Sequence, residues 1–443
     1  MSTPSDLLTR LQHTLEDHPP FCGGTVALKK KYFELYYGKK KPGYIDLSEC
    51  DQGQTELDAL ESACDPASFG RNQETVLDES YRKAGKMDAS NFMTRLNVAQ
   101  GGLLDAIRLG LFTGPASNRS IRAELYALNV YGKDAFFKPH VDTPRSSKMF
   151  GSLVIVFPTP HEGGELVLRS KGTGWTFNTA ELLADCKDRI AYVAFFSDIE
   201  HEVLPVRSGH RVTLTYNLFY SSDTPRKAEP RKGLTVLQPP RTNPDAIFDS
   251  LHALLRNKDV LPRGGTLGFG LSHVYPLPST CDVDDPDPLD SIMDALKGTD
   301  AALYHACERL GLNPRLRLIT EDYDEPIILD HIGCFGGEVE SPMRELLECE
   351  GGVILEDMES ITESDTEDDE PRRSGSGSDD ERLRVCWVTP MNEWNRTSTS
   401  YLAYGNEASM SYMYVSVCLF ADVQESGKRD VEDLNAETGE DDE

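Results

Sequence analysis

Two histidines and one aspartate, His140, Asp142 and His201, are the residues of this 443-residue chain whose types and spacing could do chemistry. Two imidazoles and a carboxylate make the ligand set that holds non-haem Fe(II) on one face and leaves the other open. The His140-Val141-Asp142 triplet is poor support alone. With ten histidines and 74 acidic residues, about one His-x-Asp triplet arises by chance. Arg211 follows the second histidine and adds an anion clamp beside such a metal. The imidazoles must be neutral to bind, and Asp142 would offset part of the metal charge.

The surrounding elements give the triplet its weight. It follows a strand-like run, Ile121 to Tyr131. Residues two apart on a strand point to one face, so His140 and Asp142 can converge. His201 follows an almost wholly apolar strand candidate, Ile190 to Phe196. A third strand opens at Arg211. Its alternation puts Arg211, Thr213 and Thr215 on one face and Val212, Leu214 and Tyr216 on the other. A polar face on an apolar strand indicates a lined cavity rather than dry core. His161 and His210 read as turn and surface residues, Asn129 as strand packing, and Lys138 and Arg145 as charges meeting solvent.

The stretch from about 121 to 220 resembles the catalytic domain of the Fe(II)/2-oxoglutarate-dependent dioxygenases, in the prolyl-hydroxylase-like branch. The matching residues are Tyr131-Gly132, Phe136-Phe137, His140-Val141-Asp142, Gly163-Gly164-Glu165-Leu166, Ser197-Asp198, His201-Glu202-Val203 with Pro205, and Gly209-His210-Arg211-Val212-Thr213. Wider phrases at 77–86, 137–145 and 209–218 resemble a fungal group of proteins with this domain. The resemblance implies a double-stranded β-helix, or jelly roll. It implies Fe(II) held by His140, Asp142 and His201, with 2-oxoglutarate and O2 as cosubstrates and ascorbate as an auxiliary reductant. Arg211 would grip the distal carboxylate of 2-oxoglutarate in a two-pronged hydrogen bond. Thr213 would add a hydroxyl contact. Tyr131 stands near the place of a cosubstrate-binding tyrosine, one residue short in its spacing to His140. The expected reaction is hydroxylation with release of succinate and CO2, on a protein side chain such as proline. Small-molecule hydroxylation and an inactive jelly-roll scaffold are the alternatives.

Length and charge set the outer limits. A chain this long exceeds one jelly roll. The expected class is α+β. A flanking region of helices and strands spans 1–118, and the jelly roll spans 119–221. A linker at 222–243 leads to an α/β-type C-terminal region at 244–421. An acidic insert at 356–382 and an acidic tail at 422–443 read as disordered. The formal net charge is −29. Glu356 to Arg382 contributes −9 and Ala421 to Glu443 contributes −8. Like-charge repulsion and few apolar side chains make both tracts poor at packing. The overall sign argues against direct binding of nucleic acid or of an anionic membrane.

Ten cysteines without regular spacing read as reduced thiols. The opening residues lack a basic and apolar leader, and no run is long enough to cross a bilayer. A cytoplasmic or nuclear protein is expected. Its substrate, other partners and oligomeric state are unreadable. Substrate selectivity should reside in loops at the barrel mouth, for which 79–91 and 143–148 are the candidates. Ser2-Thr3-Pro4 should start a helix with Leu7, Leu8, Leu11 and Leu15 on one face. Gly102 to Leu111 should form an apolar helix packed on the barrel.

Overall fold

A computed structural model of the chain describes residues 2–16, 19–38, 41–50, 55–71, 74–184, 186–221, 233–237, 243–278, 288–320, 326–330, 351–358, 360–362, 382–391, 404–405, 412–415 and 417–429. The insert expected at 356–382 and the tail expected at 422–443 lie largely outside these residues.

Two antiparallel sheets build the first region. The larger has eight strands, in the order Leu234–Leu237, Phe21–Ala27, Arg189–Phe196, Met149–Val156, Arg211–Ser221, Ser120–Tyr131, Gly85–Asp88 and Asp65–Pro66. The smaller has five, in the order Thr173–Phe177, Leu166–Ser170, Glu200–Val203, Phe136–His140 and Arg82–Lys83. Both sheets line one cavity, an arrangement that fits the expected jelly roll. The central strands Met149–Val156 and Arg189–Phe196 are buried along almost their whole length, which is why they read as continuous apolar runs. Each large apolar side chain so buried contributes about 1.5–3 kcal/mol. Leu103–Leu111 forms the expected helix, with Leu103, Ile107 and Leu111 buried.

The N-terminal helix, Pro4–Thr14, starts where its cap predicts. The Thr3 hydroxyl accepts from the Asp6 amide, and the Asp6 carboxylate accepts from the Thr3 amide. This reciprocal pair satisfies two amides that the first helical turn leaves open. The helix packs on Pro244–Arg256, and Gln12 donates to the Val388 carbonyl at 2.8 Å.

Three findings differ in detail from the sequence reading. Leu234–Leu237, inside the stretch read as linker, is an edge strand of the larger sheet, where the Thr235 and Thr25 hydroxyls meet at 2.7 Å. The 79–91 stretch, read as a mouth loop, supplies strands to both sheets: Arg82–Lys83 pairs with Phe136–His140, and Gly85–Asp88 pairs with Ser120–Tyr131. Such short strands carry no periodic signal of their own. The start of the acidic tail is packed as well. The strand Cys418–Val423 runs into it, and Arg429 donates to the carbonyls of Leu255, Val260 and Leu261.

The C-terminal region contains a closed six-stranded barrel. Its strands are Gly265–Gly270, Arg382–Thr389, Val353–Asp357, Ile327–Leu329, Arg315–Thr320 and Cys418–Val423. Helices Pro244–Arg256 and Gly298–Arg309 belong to the same region and pack on one another. One cluster of buried apolar side chains runs from Leu11 through Phe195 and Phe269 to Val423, so both regions share a core.

A buried ion pair joins the two regions. The Lys297 ammonium, 1% exposed, donates to Asp198 at 2.8 Å, and His273 Nδ1 lies 2.8 Å from the other carboxylate oxygen. Burial alone would raise the Asp198 carboxyl, but Lys297 and His273 outweigh it and hold the group well below the usual carboxylate range. A depressed acid adds stability that is fully present above its unfolded value of about 4 and is lost as pH falls through its folded value. The stability difference between wild type and Asp198→Asn should therefore hold steady from about pH 8 to about 5 and shrink below about 4, read by urea unfolding.

Gly209 sets up the strand that carries Arg211. Its φ is +72°, and a Cβ there would meet the Pro160 carbonyl oxygen at 2.1 Å. Left-handed backbone costs an L residue about 1–2 kcal/mol, and the collision with fixed backbone adds to it. Gly209→Ala should lower the unfolding free energy by about 2 kcal/mol or more; an unchanged urea midpoint would show that the turn can relax.

Candidate metal centre and adjoining anion pocket

Register brings the two histidines together. Phe136–His140 and Glu200–Val203 are antiparallel neighbours in the smaller sheet, with His140 directly opposite His201. Facing residues on adjacent strands share a side of the sheet, and the two rings lie 4.2 Å apart. Asp142, just past the strand end, completes the group. One ligand atom from each residue lies within 4.8 Å of the others, and all three residues are buried. Among the described residues, this is the single group of His, Cys, Asp and Glu with that property.

The hydrogen bonds orient each donor. His140 Nδ1 lies 2.9 Å from the Lys138 carbonyl, and His201 Nδ1 lies 2.9 Å from the Ile199 carbonyl. A carbonyl only accepts, so each Nδ1 carries the proton and each Nε2 keeps its lone pair. Burial first, then neighbouring His201, holds His140 well below its ordinary value, so the ring is neutral at physiological pH. Phe137 stacks on the His140 ring at 3.5 Å, and Phe195 lies 4.7 Å from the His201 ring. Asp142 Oδ1 is 3.9 Å from His201 Nε2, while Oδ2 accepts a hydrogen bond from the Ser152 hydroxyl. One carboxylate oxygen is thus held from behind and the other is turned toward the imidazoles.

Arg211 lies in the same cavity, 1% exposed. Among the described residues, its Nε and Nη2 have no hydrogen-bond partner. Burial lowers the Arg211 pKa, with Tyr131 and Glu165 acting against that shift. The Tyr131 ring centre is 5.6 Å from the guanidinium carbon, and Tyr131 faces Arg211 across the strand pair. Thr213 is 1% exposed, lines the cavity, and directs its hydroxyl to the Asn129 carbonyl at 3.5 Å. Thr215 also lines the cavity, so the polar face read from the strand's alternation points into it. A buried guanidinium with two open donors is expensive, and an anion could accept from both.

The structure thus gathers His140, Asp142, His201, Arg211, Thr213 and Tyr131 around one cavity. It also adds residues that the sequence reading missed. Ser152 is the lone hydroxyl within the otherwise apolar Met149–Val156, and that contrast was a usable signal. Arg82, 4% exposed, lies over Phe137 at 4.3 Å and donates to Asn129 Oδ1 at 3.0 Å. It stands within the 77–86 phrase, but nothing in that phrase pointed it to the cavity. Asn129 is more than packing, since it also donates to the Thr215 hydroxyl at 3.1 Å. His161 is buried rather than a surface turn residue: its strand pairs with Val206–Gly209, Nδ1 meets the Thr159 carbonyl, and burial pushes its pKa down to about 4. His210 meets Glu61 at 2.9 Å and is not among the residues that line the cavity.

The donor set fits a divalent cation that accepts nitrogen and oxygen ligands, and two imidazoles with one carboxylate suit non-haem Fe(II). The unpaired Arg211 nitrogens fit a carboxylate beside it.

Residues 126–219 match the model of the 2OG-Fe(II) oxygenase superfamily. The matched stretch, 94 of the 443 residues, is similar to a 2OG-Fe(II) oxygenase domain. Proteins of that superfamily use Fe(II), 2-oxoglutarate and O2, and His140, Asp142 and His201 all lie within the matched stretch. Among solved structures, a Pseudomonas putida prolyl-4-hydroxylase is 19% identical, with a TM-score of 0.27 over 48% of this chain and 100% of its own. A Trichoplax adhaerens prolyl hydroxylase, solved with a hypoxia inducible factor oxygen degradation domain peptide, is 17% identical, with a TM-score of 0.26 over 49% and 90%. A viral collagen prolyl hydroxylase from Paramecium Bursaria Chlorella virus-1 is 14% identical, with a TM-score of 0.22 over 37% and 88%. No curated protein matches the chain. The assignment therefore rests on the family match and on the oxygenase domain's own geometry. No helix among the described residues is long and apolar enough to cross a membrane.

The Ser152 contact yields a direct test. Groups that orient metal ligands typically contribute 10–100-fold in metal affinity. Ser152→Ala should weaken Co(II) binding about tenfold in equilibrium dialysis, and equal binding would show that Asp142 needs no such support.

Proposed function

We propose that this protein is an Fe(II)- and 2-oxoglutarate-dependent dioxygenase that hydroxylates a C–H bond of its substrate and releases succinate and CO2. The observation that carries this reading is one cavity holding both convergent His140, Asp142 and His201 and the buried, partly unpaired Arg211. A bare metal site would not need the guanidinium, and a dry core would not tolerate it.

In this reading His140 Nε2, His201 Nε2 and one Asp142 oxygen hold Fe(II). Arg211 binds the distal carboxylate of 2-oxoglutarate, with Thr213 and Tyr131 beside it. Bound Fe(II) supplies the redox chemistry by which O2 oxidises and decarboxylates 2-oxoglutarate, one oxygen atom entering succinate and the other the substrate. The protein's own contribution is positional and electrostatic. Ser152 fixes the Asp142 carboxylate, Phe137 and Phe195 wall the imidazoles from water, and Arg211 neutralises the cosubstrate. Arg82 and Tyr126 bound the same cavity, and Lys86 donates to the Tyr126 hydroxyl at 2.8 Å.

Resemblance to the prolyl-hydroxylase-like branch favours a protein side chain, proline among them, as the substrate. A small-molecule substrate for the same chemistry is the second reading. An inactive scaffold is disfavoured, because partner recruitment has no use for a buried guanidinium with open donors.

Succinate formation should require both added Fe(II) and 2-oxoglutarate, and His140→Ala should abolish it. A scaffold would show no turnover to lose. Charge-assisted hydrogen bonds are worth about 1.5–3 kcal/mol each, so losing a two-pronged pair in Arg211→Ala should raise the 2-oxoglutarate requirement at least about a hundredfold while leaving metal affinity near wild type. Arg211→Lys should recover little, because an ammonium cannot reproduce the two-pronged geometry. Unchanged cosubstrate affinity in Arg211→Ala would remove that residue from the site.

A further inference from the structure

The C-terminal region reaches the metal site through a two-stranded ribbon. Tyr275–Pro278 and Tyr412–Val415 pair antiparallel, with Pro276 opposite Tyr414. From one strand, the Tyr414 hydroxyl donates to the backbone carbonyl of Asp142 at 3.0 Å. Beside the other, the Val274 amide donates to Asp198 at 3.2 Å, and His273 Nδ1 lies 2.8 Å from the same carboxylate. Lys297 bridges Asp198 and the Val274 carbonyl, at 2.8 and 3.0 Å. Asp300 accepts from the Ser272 and His273 amides and from the Tyr275 hydroxyl, which fixes the turn leading into the ribbon.

Both attachment points sit on ligand-bearing backbone. Asp142 is itself one of the three. Asp198 lies in the turn between Arg189–Phe196 and Glu200–Val203. In that turn the Ser197 amide donates to the Phe150 carbonyl, and the Ile199 amide donates to Phe196. The next carbonyl, that of Ile199, receives the Nδ1 proton of His201. Movement of Asp198 would therefore rotate the carbonyl that fixes the His201 tautomer and aim. Groups holding a ligand from behind tune metal affinity as well as shape.

We propose that this ribbon is the positioning element of the metal centre, with Tyr414 holding the Asp142 backbone and the His273–Lys297 pair holding the Asp198 turn that aims His201. Tyr414, His273 and Lys297 are positioning residues, since they act through other groups. The inference rests on His140, Asp142 and His201 being the metal ligands. It assigns the C-terminal region a role in setting metal affinity for the jelly roll, across 272 residues of sequence in the case of Tyr414.

The test is Co(II) binding to the full-length protein, followed by its visible absorption and by equilibrium dialysis, alongside thermal unfolding of the metal-free form. Tyr414→Phe removes one hydroxyl and keeps the ring. It should raise the Co(II) dissociation constant about tenfold and alter the Co(II) spectrum, with the metal-free melting temperature near wild type and 2-oxoglutarate affinity at saturating metal unchanged. His273→Ala should act in the same direction, and His273→Asn, whose amide can replace the Nδ1 donor, should restore binding. A lowered melting temperature with unchanged Co(II) affinity and spectrum in Tyr414→Phe overturns the proposal, because that is the signature of a purely structural contact. Should His273→Ala fail to fold, Tyr414→Phe decides alone. If wild type and His140→Ala bind Co(II) equally, the ligand assignment itself fails, and that failure is distinguishable from loss of the ribbon's role.

Discussion

Antiparallel register between two short strands is the constraint on which the rest depends. Placing His140 opposite His201 sets the imidazoles on one face of the smaller sheet at contact distance. A shift of one residue would turn one of them to the other face. Everything nearby defends that register. The carbonyls of Lys138 and Ile199 take the Nδ1 protons, Phe137 and Phe195 pack the rings, and Ser152 steadies the third ligand.

Electrostatics then divides the interior into two kinds of buried charge. Asp198 and Lys297 satisfy one another, with His273 completing the set, and this costly arrangement is repaired from within. Arg211 is different. It is equally buried, yet among the described residues two of its nitrogens remain without partners. A folded chain keeps such a group when something outside the polypeptide completes it. The contrast between the satisfied pair and the open guanidinium separates architecture from binding site within one core.

Sequence patterning carried much of this. The alternation after Arg211 put Arg211, Thr213 and Thr215 on one face, and that face lines the cavity. The apolar run at 190–196 is a buried central strand, and the helix start read near Thr3 is where the helix begins. These features were legible because they depend on neighbours a few residues apart. Arg82 was not legible, because its burial depends on a two-residue strand docking beside Phe137. Nor was the six-stranded barrel, whose closure joins Gly265–Gly270 to strands more than a hundred residues later. The opening of the acidic tail misled for a related reason. Composition registers its charge, but not the three carbonyls that hold Arg429.

The sequence by itself determined which side chains are chemically able to bind a metal and an anion, and which strands would present them. Periodicity and motif spacing are local properties, and local properties survive in one dimension. Only the tertiary structure decided that a tyrosine near the far end of the chain would rest on the Asp142 backbone, and that a lysine and a histidine from the C-terminal region would neutralise Asp198. Those contacts exist because two regions share one apolar core, and burial there leaves each polar group to find whichever partner the packing brings within reach.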